Sequence, residues 1–331
     1  MIRVILGFML SLLVAVAVMP FVIKIADKFK AKQPILHYVE SHSVKSGTPT
    51  MGGMGILFSA LFPFLVLFRG MGASALVCLI VTLGYGLIGF IDDFIKVHLK
   101  RNEGLSAKWK LALQFIIAGV VSAYAFFGSA TAGQVYIPFV GISVDFSYFA
   151  LPYYVFIFLA YTNAVNLTDG LDGLAGGVTT VFLVIFAVLL FIISGFAPSE
   201  EQTNILVLIA CFVGAIGGFL CYNRYPARIF MGDTGSLAIG GLLASLSVLT
   251  GLSLSAAIIG AMYIASALSV LIQVISYKLT KKRVFLMAPL HHHFEKKGVH
   301  ENHIVTGYKV VTLLLGVLVI LLTLIFTDLP A

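Results

Sequence analysis

The sequence predicts an all-α polytopic membrane protein with ten transmembrane helices, both termini on the outer face and an active site at the cytoplasmic face. Three observations predict it. Of 331 residues, 60% are hydrophobic and only 11% are charged, against roughly 25% charged residues in a soluble domain. Apolar runs near the ~20 residues that a helix needs to span a bilayer recur ten times along the chain. Finally, 19 of the 21 Lys and Arg residues fall on one side of the resulting topology, leaving Arg3 and Arg69 on the other, as the positive-inside rule requires. This composition excludes a water-soluble enzyme, a disordered chain and a nucleic-acid-wrapping protein. The net charge of +7 instead reports cytoplasmic loops.

The runs lie at 2–24, 51–69, 72–91, 109–128, 148–166, 174–194, 204–222, 235–251, 256–278 and 308–327. The first begins at Arg3, and Ala15 and Ala17 loosely resemble a cleavage site. Lys24, Lys28, Lys30 and Lys32 follow it, so the stronger basic flank is on the far side and the segment reads as a retained helix. The inner regions are then 25–50, 92–108, 167–173, 223–234 and 279–307. On the outer side, residues 134–145 alternate weakly and predict a short hairpin. Cys78, Cys211 and Cys221 sit in or at the ends of apolar runs and read as small core residues. No repeat or soluble domain interrupts residues 1–331, which read as one integral membrane catalytic domain. The small-residue face from Gly214 to Gly218 suits packing within one chain or between two, so a homodimer stays open.

Ten of the 14 Asp and Glu residues fall on the inner side, and three clusters stand out. Asp92 and Asp93 end the third span, where the helix dipole disfavours negative charge, with Lys96 as the near cation. At the end of the fifth span, Asn163, Asn166, Asp169 and Asp172 recur every three positions, and Gly170 and Gly173 let the backbone turn toward a ligand. The third cluster runs from Asn223 through Phe230 to Asp233 and Ser236; Asp233 can cap the eighth helix or face a ligand. Carboxylates converging with Lys and Arg at helix ends suggest phosphate chemistry with a divalent metal, since Mg²⁺ binds through one or two carboxylates plus substrate phosphates. No Walker or GxGxxG fingerprint is present, so such a site is assembled from loop ends.

The ninth-to-tenth loop carries Lys281, Lys282 and Arg283 and then Pro289-Leu-His291-His292-His293-Phe-Glu295. Adjacent imidazoles diverge and no CxxC or HExxH partner accompanies them, so contact with substrate phosphate fits better than zinc. The first inner loop, Lys45-Ser-Gly-Thr-Pro-Thr50-Met-Gly-Gly53, offers a phosphate cation in Lys45, and Thr50 reads either as a helix cap or as a substrate contact.

Together, Lys45 to Gly53, Asp92-Asp-Phe-Ile-Lys96, Asn166-Leu-Thr-Asp-Gly-Leu-Asp172-Gly-Leu and Met231-Gly-Asp-Thr-Gly-Ser236 resemble the inner-face motifs of the phospho-N-acetylmuramoyl-pentapeptide transferases. The acidic motifs are shared with the wider polyprenyl-phosphate sugar-1-phosphate transferases. Pro289 to Glu295 resembles the muramoyl-pentapeptide branch alone. The resemblance implies transfer of phospho-N-acetylmuramoyl-pentapeptide from its UDP donor to undecaprenyl phosphate, giving lipid I and UMP with Mg²⁺, at the inner membrane of a bacterial cell. It implies Asp233 and Asp93 as metal ligands, and Asp92 orienting or deprotonating the acceptor phosphate. Lys96, Lys108 and Lys45 balance phosphate charge. Asn166, Asp169, Gly170, Leu171, Asp172, Asn223 and Phe230 form a nucleotide pocket, Phe230 stacking on uracil. Asn163, Thr50, Ser236 and Gln273 complete the substrate-binding set with His292 and His293, while His291 acts at the pyrophosphate. Lys281 to Arg283 attract the acidic peptide. Direct attack and a covalent aspartyl route both stay open.

Two other readings compete. A secondary transporter has similar span numbers but places ionisable residues near the bilayer midplane, whereas here they gather at inner helix ends. A related transferase using UDP-N-acetylglucosamine keeps the same acidic clusters and is opposed by the histidine motif.

Overall fold

In the computed structural model, residues 1–28, 47–70, 72–99, 103–129 and 133–326 are described; Lys30, Lys32 and Lys45 lie outside them. The chain begins with α1 (Ile2–Lys28), α2 (Gly52–Leu67), α3 (Ala73–Leu99) and α4 (Ala107–Phe127). A hairpin of β1 (Gln134–Ile137) and β2 (Ile142–Asp145) follows, then α5 (Ala150–Thr168), α6 (Leu174–Ile193), α7 (Glu200–Asn223) and α8 (Gly232–Leu249). The last elements are α9 (Ser253–Ile259), α10 (Ala261–Thr280), α11 (Leu290–Lys296) and α12 (Glu301–Phe326). Among the described residues, nine helices are long and apolar enough to cross a membrane. This is an all-α polytopic membrane protein. The second predicted span, α2, has 16 residues, about 24 Å of helix against a ~30 Å hydrocarbon core.

α8 forms the centre. From Thr234 to Leu249 every residue is buried, as expected for a helix that is apolar all round with serines bonded to their own backbone. It packs between α3 and α5. α1 and α12 lie at the periphery and expose Leu, Ile, Val and Phe, as lipid-facing helices do. The small-residue face predicted on α7 is used inside the chain: a Cβ on Gly214 would overlap the Phe8 carbonyl oxygen, and one on Gly218 would overlap Ala15. Close backbone approach between α1 and α7 follows directly.

The hairpin forms as predicted, with register Gln134↔Asp145 through Ile137↔Ile142. The Tyr136 N–H donates to the Gly251 carbonyl at 2.8 Å, fixing the hairpin at the end of α8 remote from Asp233.

Three expectations change. The ninth run is two helices, broken at Gly260 (φ −82°, ψ 16°). The Tyr161 hydroxyl and the Phe182 ring press on this glycine at 3.3 and 3.4 Å from where a Cβ would stand, and glycine is a poor helix former. Past the break, α10 leaves the bundle and exposes Leu268, Leu271, Ile272 and Ile275. The loop from 279 to 307 contains α11, whose seven residues are too short for hydropathy to register. Finally, α3 continues to Leu99 and α12 starts at Glu301, each carrying polar residues on helix beyond the apolar run.

Candidate active site

The extra turns of α3 carry Asp92 and Asp93, which are only 2% and 3% exposed. α3 and α8 run antiparallel, and Gly89 touches the first turn of α8 so closely that a Cβ would overlap the Asp233 carbonyl oxygen. No other residue type fits there without moving a backbone. The approach brings the C-terminal end of α3 against the N-terminus of α8. Asp93 then accepts from the Asp233 N–H (3.2 Å), the Thr234 N–H (2.9 Å) and the Thr234 hydroxyl (2.7 Å). The cap of α8 thus comes from another helix, whereas α8's own N-cap position, Met231, makes no side-chain cap. Asp233 is not the cap; it sits in the first turn with its carboxylate free to face the site.

Asp233 meets two ammonium groups, Lys96 Nζ at 2.9 Å and Lys110 Nζ at 2.7 Å, both on Oδ2. Its Oδ1 accepts from the Asn166 amide at 2.8 Å, and that amide also donates to the Ser236 hydroxyl at 2.8 Å. Lys96 reaches Asp92 as well, at 2.6 Å, and Asp92 Oδ1 accepts from the Leu105 N–H at 2.9 Å. Oxygen atoms of Asp92, Asp93 and Asp233 all lie within 4.8 Å of one another. This donor set consists of hard oxygens on two opposed helix ends, which suits a divalent cation that keeps open positions for phosphate.

Lys110, and not the Lys108 that the sequence suggests, reaches the carboxylates. Two residues on a helix are about 200° apart, so when Lys110 faces inward with Gln114, Ala118 and Val121, Lys108 faces out and is exposed. The inward signal was legible in the i, i+4 pair Lys110 and Gln114, polar residues on the face that is otherwise buried. Gln114 binds Asn163, whose amide donates to Gln114 Oε1 at 2.9 Å; Asn163 therefore joins α5 to α4 rather than facing the carboxylates.

Around this centre the loops are pinned to each other. Phe230 N–H donates to the Pro49 carbonyl, and the Gly52 and Gly53 N–H groups donate to the Phe230 and Met231 carbonyls, at 2.8 to 2.9 Å. Thr50 caps no helix: the position before α2 is Met51, in the left-handed region with no side-chain bond. Thr50 is buried beside Gly232 instead. Asn223 accepts from the Gly173 N–H at 3.0 Å and donates to the Ile229 carbonyl at 2.8 Å. Asp172 accepts from the Ala227 N–H at 2.9 Å, and its own N–H donates to Glu301. Glu301 gave no local sequence signal, because it sits at the start of α12, far along the chain. Leu171 is buried and Phe230 half-buried.

The histidines diverge. His291 is fully buried with its Nε2 pressed on Gly170. His292 pairs with Glu295 at 2.9 Å, and His293 Nδ1 accepts from the Leu286 N–H at 3.1 Å. Gln273 is spent on the same segment, accepting from the Val284 and Phe285 N–H groups and donating to the Phe285 carbonyl, each at 3.0 Å. Asp169, at the end of α5, has its pKa pushed up to about 8, first by burial and then by the charges of Asp233, Asp93 and Asp172. Asp172, Asp169 and Gly170 thereby join the His291 side of the site to its carboxylate side.

Acids and lysines thus converge where membrane-spanning helices end, in a chain whose residues 75–251 match the family model described as glycosyl transferase family 4. Curated relatives narrow it. The phospho-N-acetylmuramoyl-pentapeptide-transferase of Clostridioides difficile (strain 630) is 43% identical over 309 residues, covering 93% of this chain and 94% of the relative. That of Bacillus subtilis (strain 168) is 41% identical over 321 residues, 95% of each. That of Caldanaerobacter subterraneus subsp. tengcongensis is 43% identical over 313 residues, 94% of this chain and 96% of the relative. The chain belongs to the phospho-N-acetylmuramoyl-pentapeptide-transferase family.

Proposed function

We propose that this protein, as one catalytic domain over residues 1–331, transfers phospho-N-acetylmuramoyl-pentapeptide from its UDP donor to undecaprenyl phosphate, forming lipid I and releasing UMP. The observation that carries this reading is the shared placement of Lys96 and Lys110 on Asp233 beside Asp92 and Asp93, in a chain of this family. Phosphoryl transfer depends chiefly on positioning and charge neutralisation, which this array supplies.

Mg²⁺ is the cation that the oxygen donors fit, with Asp233 and Asp93 holding it and Asp92 beside them. When bound, it neutralises phosphate charge and polarises the reacting phosphoryl group. The chain's own residues do the rest. Asp92, held by Lys96 and the Leu105 N–H, orients the acceptor phosphate and takes its proton when that phosphate arrives as the monoanion. The acceptor oxygen attacks the sugar-side phosphorus, the bond to UMP breaks, and UMP leaves with the negative charge. Lys96, Lys110 and Lys45 bind phosphate oxygens, while Lys108, turned outward on α4, takes no part. Asn166, Asp169, Gly170, Leu171, Asp172, Asn223 and Phe230 border the nucleotide, with Phe230 as the stacking face. His291 lies at the pyrophosphate. Thr50, Asn163, Ser236, Gln273, His292 and His293 act mainly by holding these groups in place.

The topology in this reading has ten spans, α2 being a short one and α9–α10 a broken one. Both termini are outside, and the carboxylates face the cytoplasm of a bacterial inner membrane. The basic residues gathered at the carboxylate end support that orientation. The apolar exposed side of α10 supports a lipid acceptor approaching from the bilayer. A homodimer would use faces other than Gly214 to Gly218, which α1 already covers.

Purified protein with undecaprenyl phosphate and Mg²⁺ is expected to release UMP from UDP-N-acetylmuramoyl-pentapeptide and not from UDP-N-acetylglucosamine, and to stop when the metal is chelated. Release only with the second donor would move the protein to the related branch. UMP exchange into donor without acceptor would replace direct attack by a covalent aspartyl route.

A further inference from the structure

At the carboxylate end of the bundle, α6, α7 and α12 border an open cavity of about 350 Å³ that meets the proposed nucleotide-binding residues only at Asp172. Its polar lining on α12 is Asn302, Thr306 and Lys309, spaced i, i+4 and i+7 and so on one helix face. Arg224, just past α7, faces it from the other side. Lys309 is the last charged residue of α12, and residues 310–326 after it are uncharged. Its stem runs along α6, with Cδ 3.1 Å from where a Gly177 Cβ would stand. Such a lysine keeps its methylenes on apolar surface and delivers its ammonium to the interface, and at that depth a cation is costly without a partner. Among the described residues neither Lys309 nor Arg224 has a carboxylate within ion-pair distance.

One carboxylate, Asp172, also borders the cavity; it is buried and bonded to the Ala227 N–H, and against two cations it leaves the lining positive by one charge. The N-terminal turns of α6 and α12 both open here, and helix N-termini favour anions. Gly217, Leu220 and Val305 form an apolar wall. Beyond Thr306, the exposed Val310, Leu313 and Val317 continue the same face of α12 along the membrane.

We propose that this cavity binds the headgroup phosphate of an anionic phospholipid, with Lys309 and Arg224 on the phosphate, Asn302 and Thr306 on the remaining polar groups, and an acyl chain along Val310, Leu313 and Val317. This lipid is separate from the acceptor, because the cavity is lined by α6, α7 and α12 and contains none of Asp92, Asp93 or Asp233. The apolar track is what selects a lipid over a soluble anion.

The test uses full-length protein in nanodiscs of equal phosphatidylglycerol and phosphatidylcholine, with retained lipids counted by native mass spectrometry. Wild type is expected to retain phosphatidylglycerol preferentially. The Lys309→Gln, Arg224→Gln double variant is expected to lose that preference by about five- to thirtyfold, the scale of one to two basic residues facing an anionic lipid. Lys309→Arg, which keeps the charge, should keep the preference and shows that the loss is not misfolding. An equal preference in wild type and double variant would overturn the proposal. So would release of the lipid by millimolar inorganic phosphate, which would assign the cavity to a soluble anion.

Discussion

The two ends of the bundle handle charge in opposite ways. At the end remote from Asp233, Glu200 and Glu201 occupy the first turn of α7, where the helix dipole favours acids, behind a capping box made by Ser199 and Gln202. Glu200 pairs with Arg3 at 2.7 Å, Glu201 accepts from Ser74, and Asn204 accepts from Arg3 and donates to the Arg69 carbonyl. The two basic residues of this end thus meet at one asparagine. At the other end, acids sit at the C-terminus of α3, α2 and α6 start from left-handed residues without side-chain caps, and burial pushes the Asp169 carboxyl up to about 8. The remote end follows local helix rules and serves stability. The carboxylate end departs from them, and its charges are balanced across helices as well as within α3.

That contrast can be broken most sharply at Lys110. Lys110→Met leaves Asp233 with one ammonium and is expected to lower turnover roughly 100-fold, a scale set by loss of a preorganised charge in a catalytic site. Lys108→Met, at an exposed position, is expected to change it less than about twofold. Equal effects on UMP release would mean that the inward face of α4 is not the functional one. Next comes Asp93. Asp93→Ala orphans two backbone donors and a hydroxyl at the start of α8, so it should cost about 2–3 kcal/mol of stability as well as activity. The matched change at the remote end, Glu201→Ala, should cost about 1 kcal/mol and leave turnover alone. Thermal unfolding and UMP release on the same preparations separate the two.

The remaining expected effect is a pH slope. In the unfolded chain Asp169 titrates near 3.8, and in the fold it is pushed up to about 8. Between those values the folded state holds a proton that the unfolded state lacks, so stability falls as pH rises through this window and the contribution is flat above it. In chelator, Asp169→Asn should melt with a shallower pH dependence than wild type and gain relative stability at the alkaline end. Parallel profiles would show that Asp169 is ionised in the fold.

Much of the architecture was legible in the sequence, because crossing a bilayer demands long apolar runs and these mark themselves. The clusters at Asp92, Asn166 and Asp233 were legible for a related reason: carboxylates at the ends of membrane helices need a partner or a task. What escaped notice depends on the third dimension. Asp93 caps a helix 140 positions away, and no local pattern announces a cap supplied in trans. Lys108 and Lys110 differ only in which way α4 is turned. Gly260 reads as an ordinary glycine in an apolar run until Tyr161 and Phe182 are packed against it. The stripe from Gly214 to Gly218 declared close packing correctly but could not say against what.

The contact between Gly89 and the first turn of α8 divides the site for any small molecule designed to occupy it. Two backbones touch there, so the wall bearing Asp92, Asp93 and Asp233 has no slack to yield, and an inhibitor must match its spacing as it stands. The segment after α10 and α11 is held instead by side chains, through Gln273 and His293. Adaptation to differently shaped ligands would be concentrated in that segment. Affinity for the wall and selectivity from the segment are therefore separable goals.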